Sequence, residues 1–365
     1  MGDKGGSKIK FLLIIFLILF STFHFDASLV SAISYSNDCR LNDILRCTLA
    51  SYNKEPRVNG RVDISTLIDS LKEASINTYN FLIWHEPATD YDDFVKFLEL
   101  ALHEGIYVWV DITPPSEPPN PPPHGRDYIS WAIDFANLSL KYPNFVAFTI
   151  DDFDSNLDFF TPAYVKRMRD AFKAINPKLA FIPTVYGGEQ VSRHLTFKKF
   201  METYGNYIDG ILLPYINLDS LDDLPSILQT ARNALGNEKI LISFIYAAST
   251  SWHRTPPTLE YLRKAIMISY LYADGVMMYC LPLTPEQADY EEYKLVKEIY
   301  SHLSKWPSID RRCLIDSFNY LFETYEMKLS DLSLEILRHR ILISVLAVYS
   351  FIITFYAIKA RKRRL

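Results

Sequence analysis

Glycine, paired histidine and clustered positive charge are all scarce in this chain. Only 12 of 365 residues are glycine and no GxGxxG turn follows a predicted strand, so the signature of a dinucleotide-binding open sheet is missing. The net charge is −5 and no basic stripe interrupts residues 33–308, which argues against a nucleic-acid partner. The histidines lack the paired spacing of zinc ligands, so we expect no metal and no cofactor. Five of the eight histidines are scattered through the middle of the chain: His85, His103, His124, His194 and His253.

Cysteine is rarer still, with four residues in the chain. Cys39 and Cys47 are close in sequence, and we predict that they pair as a disulfide in an oxidising compartment. Cys280 lies in an apolar run, which predicts a buried free thiol instead.

The N-terminal 32 residues have the pattern of a secretory signal peptide. Lys4, Lys8 and Lys10 precede an apolar run over Phe11–Phe20, and small residues end the segment at Ala32. This order of basic, apolar and small residues predicts cleavage after Ala32. The alternative is an uncleaved anchor, because the apolar stretch can be extended towards residue 25.

A second membrane segment is predicted near the C-terminus. Residues 341–358 carry no charge and are long enough to span a bilayer, which takes about 20 apolar residues. The tail at 359–365 is rich in lysine and arginine and is therefore expected on the cytoplasmic side. A buried helix would not account for these cations. The sequence thus predicts a single-pass membrane protein whose main domain is extracellular or lumenal.

Between these ends, residues 33–308 alternate short apolar runs with amphipathic stretches. The runs are continuously hydrophobic, as in strands buried on both faces of a parallel sheet, and the stretches have helical periodicity. Eight such runs, alternating with amphipathic stretches over residues 33–308, predict a (β/α)8 barrel. The alternative is an open doubly wound sheet. Residues 309–340 mix charged and apolar residues and are predicted to form a helical stalk. The predicted strands are Leu45–Tyr52, Thr78–Trp84, Ile106–Ile112, Phe145–Ile150, Leu179–Tyr186, Ile208–Tyr215, Ile240–Tyr246 and Gly275–Leu281.

The end of the fourth predicted strand carries the most informative motif, Asp151-Asp152. A barrel places its active site at the C-terminal ends of its strands. Two adjacent carboxyl groups in such a place repel each other and lose solvent, which raises at least one pKa and leaves a protonated acid beside an ionised partner. Glycoside cleavage uses such a division of roles. The alternative is a helix N-cap with a solvated neighbour.

Three segments in order resemble glycoside hydrolase family 84, the O-GlcNAcase and hyaluronidase-like β-N-acetylglucosaminidases. They are Asn77-Thr78-Tyr79 with the helix start at Asp90–Asp93, Phe148–Asp154, and Pro183–Tyr186. The resemblance covers residues 77–188. It implies that Asp151 polarises the acetamido nitrogen of the substrate, that Asp152 is general acid and then base, and that Tyr186 hydrogen-bonds at the same centre.

The chain departs from that family in its sugar-binding rim. Where the family has a substrate-contacting Lys after strand two, this chain has Trp84 and His85, and the later Asp and Asn that hold sugar hydroxyls have no counterpart. Barrel position alone suggests further substrate-binding residues, and Trp252 and His253 either line the rim or merely pack. These further residues are Trp84, His85, Tyr215, Asn217, Tyr246 and Tyr279.

A loop with seven prolines at Pro114–Pro123 is expected on the same face. Proline favours extended, stiff backbone, so the loop is either a rigid wall of the cleft or a solvent-exposed connector.

Two functions follow from these patterns. The first is a membrane-anchored glycoside hydrolase with retaining, substrate-assisted cleavage of β-linked N-acetylhexosamine. The second is a non-catalytic glycan-binding or scaffolding barrel. A deacetylase would need metal ligands that the sequence does not offer.

Overall fold

The computed structural model describes residues 44–84, 89–186, 196–250 and 253–304. The predicted signal peptide, stalk, membrane segment and basic tail lie outside these residues and remain predictions. Within the described ranges, no helix is both long and apolar enough to cross a bilayer. Cys47 is disulfide-bonded, and its predicted partner Cys39 lies outside the described part of the chain. Cys280 is a buried free thiol, as predicted.

Eight parallel strands form the central sheet, in the chain order expected of a barrel. Strand β1 pairs with both β2 and β8, and the other strands pair with their neighbours in sequence. Between β5 and β6 the sheet is joined by a bridge from Thr184 to Leu212 and by a bond from the Asp209 amide to the Phe181 carbonyl (2.9 Å). The strands are β1 Leu49–Tyr52, β2 Thr78–Ile83, β3 Tyr107–Ile112, β4 Phe145–Ile150, β5 Ala180–Phe181, β6 Gly210–Tyr215, β7 Ile240–Tyr246 and β8 Gly275–Tyr279.

One helix follows each strand. Several helices begin at a residue whose side chain accepts a backbone N–H of the first turn: Asp63, Asp127, Thr161, Thr196 and Thr258. These bonds satisfy donors that the helix leaves free and so fix where each helix starts. The helices are α1 Ile64–Glu73, α2 Thr89–His103, α3 Tyr128–Lys141, α4 Pro162–Ile175, α5 Phe197–Tyr204, α6 Leu224–Leu235, α7 Leu259–Tyr272 and α8 Tyr290–Leu303.

The predicted (β/α)8 barrel is confirmed, with three local differences. The fifth strand is only two residues long rather than the whole of Leu179–Tyr186. The short helix α5, which the periodicity did not single out, follows it. The loop after β1 contains a hairpin of Arg57–Val58 and Arg61–Val62, held to α2 by Asp93, which accepts from the Val62 amide (3.0 Å) and pairs with the Arg61 guanidinium.

Side chains alternate between two apolar layers. Those that point into the barrel form a small core with Trp109 at 0% exposure, while the larger core between strands and helices is rich in phenylalanine. Burial on both faces explains why the strands read as continuous hydrophobic runs. Towards the C-terminal end of the barrel the inward positions become polar, with Asn80, Asp111 and Thr149 all fully buried.

Candidate active site

Acidic and tyrosine side chains meet at the C-terminal end of the barrel. Asp151 and Asp152 directly follow β4, and Asp111 lies on the adjacent β3, paired in register with Thr149. Glu117 comes from the proline-rich loop that follows β3. No described lysine or arginine forms an ion pair with any of these four carboxyl groups.

Asp151 is the inner member of the predicted acid pair. One carboxyl oxygen accepts the backbone N–H of Asp152 (2.9 Å), and the other faces the Tyr52 hydroxyl at 3.4 Å. Burial raises the pKa of Asp151 well above its usual value, and the charges of Asp111, Asp152 and Glu117 raise it further. These effects outweigh the bond from the Asp152 amide, which favours the ionised form. Asp151 therefore holds a proton more readily than a free aspartate does.

Asp152 adopts a left-handed backbone conformation, with φ 44° and ψ 35°. A non-glycine residue rarely adopts this conformation, although Asp tolerates it better than most. Its side chain does not cap the short helix Phe153–Asn156 that it precedes. Instead, its carboxyl group acts on the Tyr186 hydroxyl and on Glu117, and adds to the rise that burial causes in the pKa of each group. The N-cap alternative therefore does not describe the side chain of Asp152.

The proline-rich loop forms a wall of this site. The Asn156 side-chain amide donates both to the Ser116 hydroxyl (3.0 Å) and to the Asp152 carbonyl (2.9 Å), which ties the loop to the turn that carries the acid pair. Glu117 lies on the exposed rim and turns its carboxyl group towards Asp152. Partial burial raises the pKa of Glu117, and the neighbouring charge of Asp152 raises it further.

Asp111 is buried inside the barrel, on the strand next to Asp151. Its Oδ2 accepts the Thr149 hydroxyl and the Asn80 amide (3.5 Å). Its Oδ1 has no hydrogen-bond partner among the described residues. Burial raises the pKa of Asp111 to about 7 despite these two donors, with further contributions from the charges of Glu117 and Asp152.

Three of the predicted substrate-binding residues lie around the acid pair. Tyr186 interacts with Asp152, and Tyr246 interacts in turn with Tyr186. Tyr246 packs edge-on against Tyr279, with ring centroids 4.9 Å apart. The backbone of Tyr186 is positioned by Asp154, which accepts its amide at 3.2 Å.

Tyr215 and Asn217 are not brought to the pair. The Tyr215 hydroxyl donates to the Ser220 carbonyl (2.6 Å) and to Asp223 in the loop before α6. This happens because Leu212 points inward on β6, so Tyr215 three residues on points to the helix layer. Asn217 closes a turn by accepting the amides of Asp219 and Ser220 (3.2 Å each). The Tyr215 hydroxyl and the Asn217 side chain thus face the loop before α6, and the prediction that these two residues bind substrate stays a prediction.

The remaining predicted positions lie on loops. Trp84 is 43% exposed after β2, as a rim residue would be. Nδ1 of the His253 ring is hydrogen-bonded to the Thr255 carbonyl oxygen, at 2.7 Å. His85 and Trp252 lie outside the described residues.

Three residues of this site were absent from the sequence-based set. Tyr52 reaches Asp151 from β1, and its position at the end of the predicted strand Leu45–Tyr52 was a usable signal. Asp111 lies within the predicted strand Ile106–Ile112, but its burial inside the barrel cannot be read from sequence. Glu117 stands alone among prolines, and only the path of that loop brings it to Asp152.

Several carboxyl groups in one half-buried cleft, with tyrosines beside them, can divide into proton donors and ionised partners. Such a set is suited to protonating a leaving group and to stabilising positive charge on a bound sugar. Among the side chains that the structure describes, no group of three or more His, Cys, Asp and Glu is arranged to hold a metal ion.

No family model and no curated protein sequence matches the chain. Its fold is similar to that of the GH99 endo-alpha-mannosidase from Bacteroides thetaiotaomicron, at 14% identity and a TM-score of 0.46, covering 70% of this chain and 98% of that chain. It is also similar to the PgaB (BpsB) glycoside hydrolase domain from Bordetella bronchiseptica, at 11% identity and a TM-score of 0.45. This similarity covers 69% of this chain and 97% of that chain.

A third similar structure is the debranching enzyme from Nostoc punctiforme, at 12% identity and a TM-score of 0.49, covering 74% of this chain and 83% of that chain. These structural neighbours are distant glycoside hydrolases, and likenesses of this degree carry no argument about the reaction. Membership of family 84 is not shown by them, so that resemblance remains a prediction.

Proposed function

We propose that this barrel is a glycoside hydrolase that cleaves β-linked N-acetylhexosamine with retention of configuration, assisted by the 2-acetamido group of the substrate. The observation that carries the proposal is the position of Asp151 and Asp152. They are adjacent in the chain, directly follow β4 and act electrostatically on Tyr186. Two carboxyl groups on one turn do not flank a sugar from opposite sides, as a pair of acid and protein nucleophile does.

In this proposal the acetamido oxygen of the substrate attacks the anomeric carbon, and an oxazoline forms as the leaving group departs. Asp151 accepts the acetamido N–H and stabilises the positive charge that develops on the ring. Asp152 donates a proton to the leaving oxygen and later removes one from the attacking water. The acetamido N–H that Asp151 accepts favours the ionised form of this carboxyl group. Tyr186 holds the outer group in place.

Two variants test the separate roles of the acids. Asp152→Asn should slow substrates with poor leaving groups most, because a good leaving group departs without protonation. Asp151→Asn should slow all substrates alike, because orienting the acetamido group does not depend on the leaving group. The measurement is kcat/KM for aryl N-acetylglucosaminides over a series of phenol pKa values.

Asp223→Asn is the matched control, since Asp223 is also a loop carboxylate that bonds a tyrosine hydroxyl but lies apart from the acid pair. It should retain the parental dependence on the leaving group. Equal dependence on the leaving group in both Asp151→Asn and Asp152→Asn would contradict the assignment of roles.

We propose in addition that the barrel faces the extracellular or lumenal side and is anchored by residues 341–358. The charge-free segment followed by a basic tail supports this orientation. Protease added to sealed vesicles should spare the barrel and remove only the tail if the cytoplasmic face is outward. Digestion of the barrel in those vesicles would refute the topology.

A further inference from the structure

The carboxyl group of Asp111 has no role in the mechanism above, yet it is fully buried on the strand beside the acid pair. Two donors, Thr149 and Asn80, converge on Oδ2. The other oxygen is without a hydrogen-bond partner in the described part of the chain. The two oxygens of this carboxyl group are therefore unequal: Oδ2 is occupied as an acceptor, and Oδ1 is the atom on which a proton can be gained or lost.

The groups that act on Asp111 are carboxylates and neutral side chains. From β1 the Tyr52 phenol interacts with it, from β2 and β4 the neutral Asn80 and Thr149 side chains bond it, and Asp151 and Asp152 follow β4. Glu117 acts on it from the proline-rich loop. None of these groups supplies positive charge. Asp111 is paired in register with Thr149, two residues before Asp151, and its charge acts on Asp151. Two interacting carboxyl groups in a buried space strongly disfavour being ionised together.

We propose that Asp111 is a positioning residue that holds a proton inside the barrel whenever Asp151 is ionised, so that the two groups together carry a single negative charge. Asp151 must be ionised to accept the acetamido N–H, so this inference rests on the proposed function. The proton remains on Oδ1, while the bonds from Thr149 and Asn80 to Oδ2 persist in both charge states. Asp111 thereby sets the pH range in which Asp151 can act, without touching the substrate.

The test counts protonated aspartates directly, with no need for turnover. Full-length protein is labelled with aspartate carrying 13C at the side-chain carboxyl carbon, and the infrared band of the protonated acid is followed from pH 4 to 9. Asp111→Asn has nearly the same shape but carries no charge. We expect the midpoint of the remaining Asp151 band to fall by about one pH unit or more, since a like charge beside it has been removed. An Asp151 midpoint that does not move in Asp111→Asn would overturn the inference.

A second variant protects the test against a folding defect in the first. Thr149→Val removes a donor that favours the ionised form of Asp111, so the Asp111 band should persist to higher pH and the Asp151 band should vanish at lower pH. Unchanged bands in this variant would also overturn the inference. Asp223→Asn serves as the control and should leave both bands in place. A protein that shows these shifts but cleaves no sugar would refute the proposed function and leave the Asp111–Asp151 coupling intact.

Discussion

The buried carboxyl group of Asp111 should make the stability of the barrel depend on pH in a way that one substitution removes. Its pKa is raised from 3.8 to about 7 in the folded protein, a difference of about 3 units. A raised pKa means that the folded state binds the proton more tightly than the unfolded state. The contribution to stability is therefore fully present below about pH 4 and is lost as the pH rises through about 7.

At 1.36 kcal/mol for each pKa unit, this difference corresponds to about 4 kcal/mol. The Asp111→Asn variant cannot titrate at this position and keeps the shape of the side chain, with the Thr149 and Asn80 contacts available to it. We therefore expect the free energy of unfolding of the parent protein to fall by about 4 kcal/mol more than that of Asp111→Asn between pH 4 and pH 8.

Urea unfolding at pH 4, 6 and 8 measures this difference, provided that the dependence on denaturant is the same in both proteins. Near pH 4 the two proteins should be similar in stability, and near pH 8 the variant should be the more stable one. Asp223→Asn should follow the parent at every pH. Parallel profiles for the parent and Asp111→Asn would refute the reasoning, because the buried group would then not be titrating in this range.

Three further predictions follow from particular contacts. Asp152→Asn should lower the pKa of Glu117, because it removes the negative charge next to that carboxyl group. A carboxyl signal of 13C-labelled Glu117 that titrates at the same pH in the variant and in the parent would contradict the interaction between Glu117 and Asp152. Gly210→Ala should destabilise the barrel by about 3 kcal/mol or more, because the new Cβ would lie 2.3 Å from the Ile240 carbonyl oxygen. If the urea midpoint of this variant equals that of the parent protein, β6 and β7 pack less closely than this distance requires. Asp63→Ala should cost about 1 kcal/mol by removing the acceptor for the Thr66 amide, while Asp63→Asn, which keeps an acceptor, should cost less in the same unfolding assay.

The architecture could be predicted because it depends on local pattern. Strands covered on both faces are continuously apolar, and seven of the eight have clear runs between amphipathic stretches. The first predicted strand, Leu45–Tyr52, has a less regular pattern and is needed to close the barrel, and Leu49–Tyr52 does pair on both sides. The length of β5 was overestimated, because the apolar residues continue past Phe181 whereas the strand ends there.

The site was only partly predictable because it depends on which face of a strand each residue occupies. Because side chains alternate along a strand, Tyr215, three residues after the inward-pointing Leu212, must point outward. The sequence alone does not show that Leu212 points inward, so this alternation could not be used. The adjacent acids were recognisable as a motif, and Tyr186 came with the family resemblance. The contacts of Glu117 and Asp111 depend on tertiary structure. Glu117 is placed by the path of the proline-rich loop, and Asp111 is placed by the interior of the barrel. Neither arrangement produces a periodic pattern in the sequence.

The most direct test of the central claim compares two substrates that differ only at the 2-position of the sugar. An aryl β-N-acetylglucosaminide and the matching aryl β-glucoside are assayed side by side with the full-length protein. If the substrate's own acetamido group is the nucleophile, the first should be hydrolysed with retention and the second should not be turned over. Equal turnover of both sugars would contradict substrate assistance, and the absence of turnover of either would contradict the assignment of the barrel as a hydrolase acting on N-acetylhexosamine.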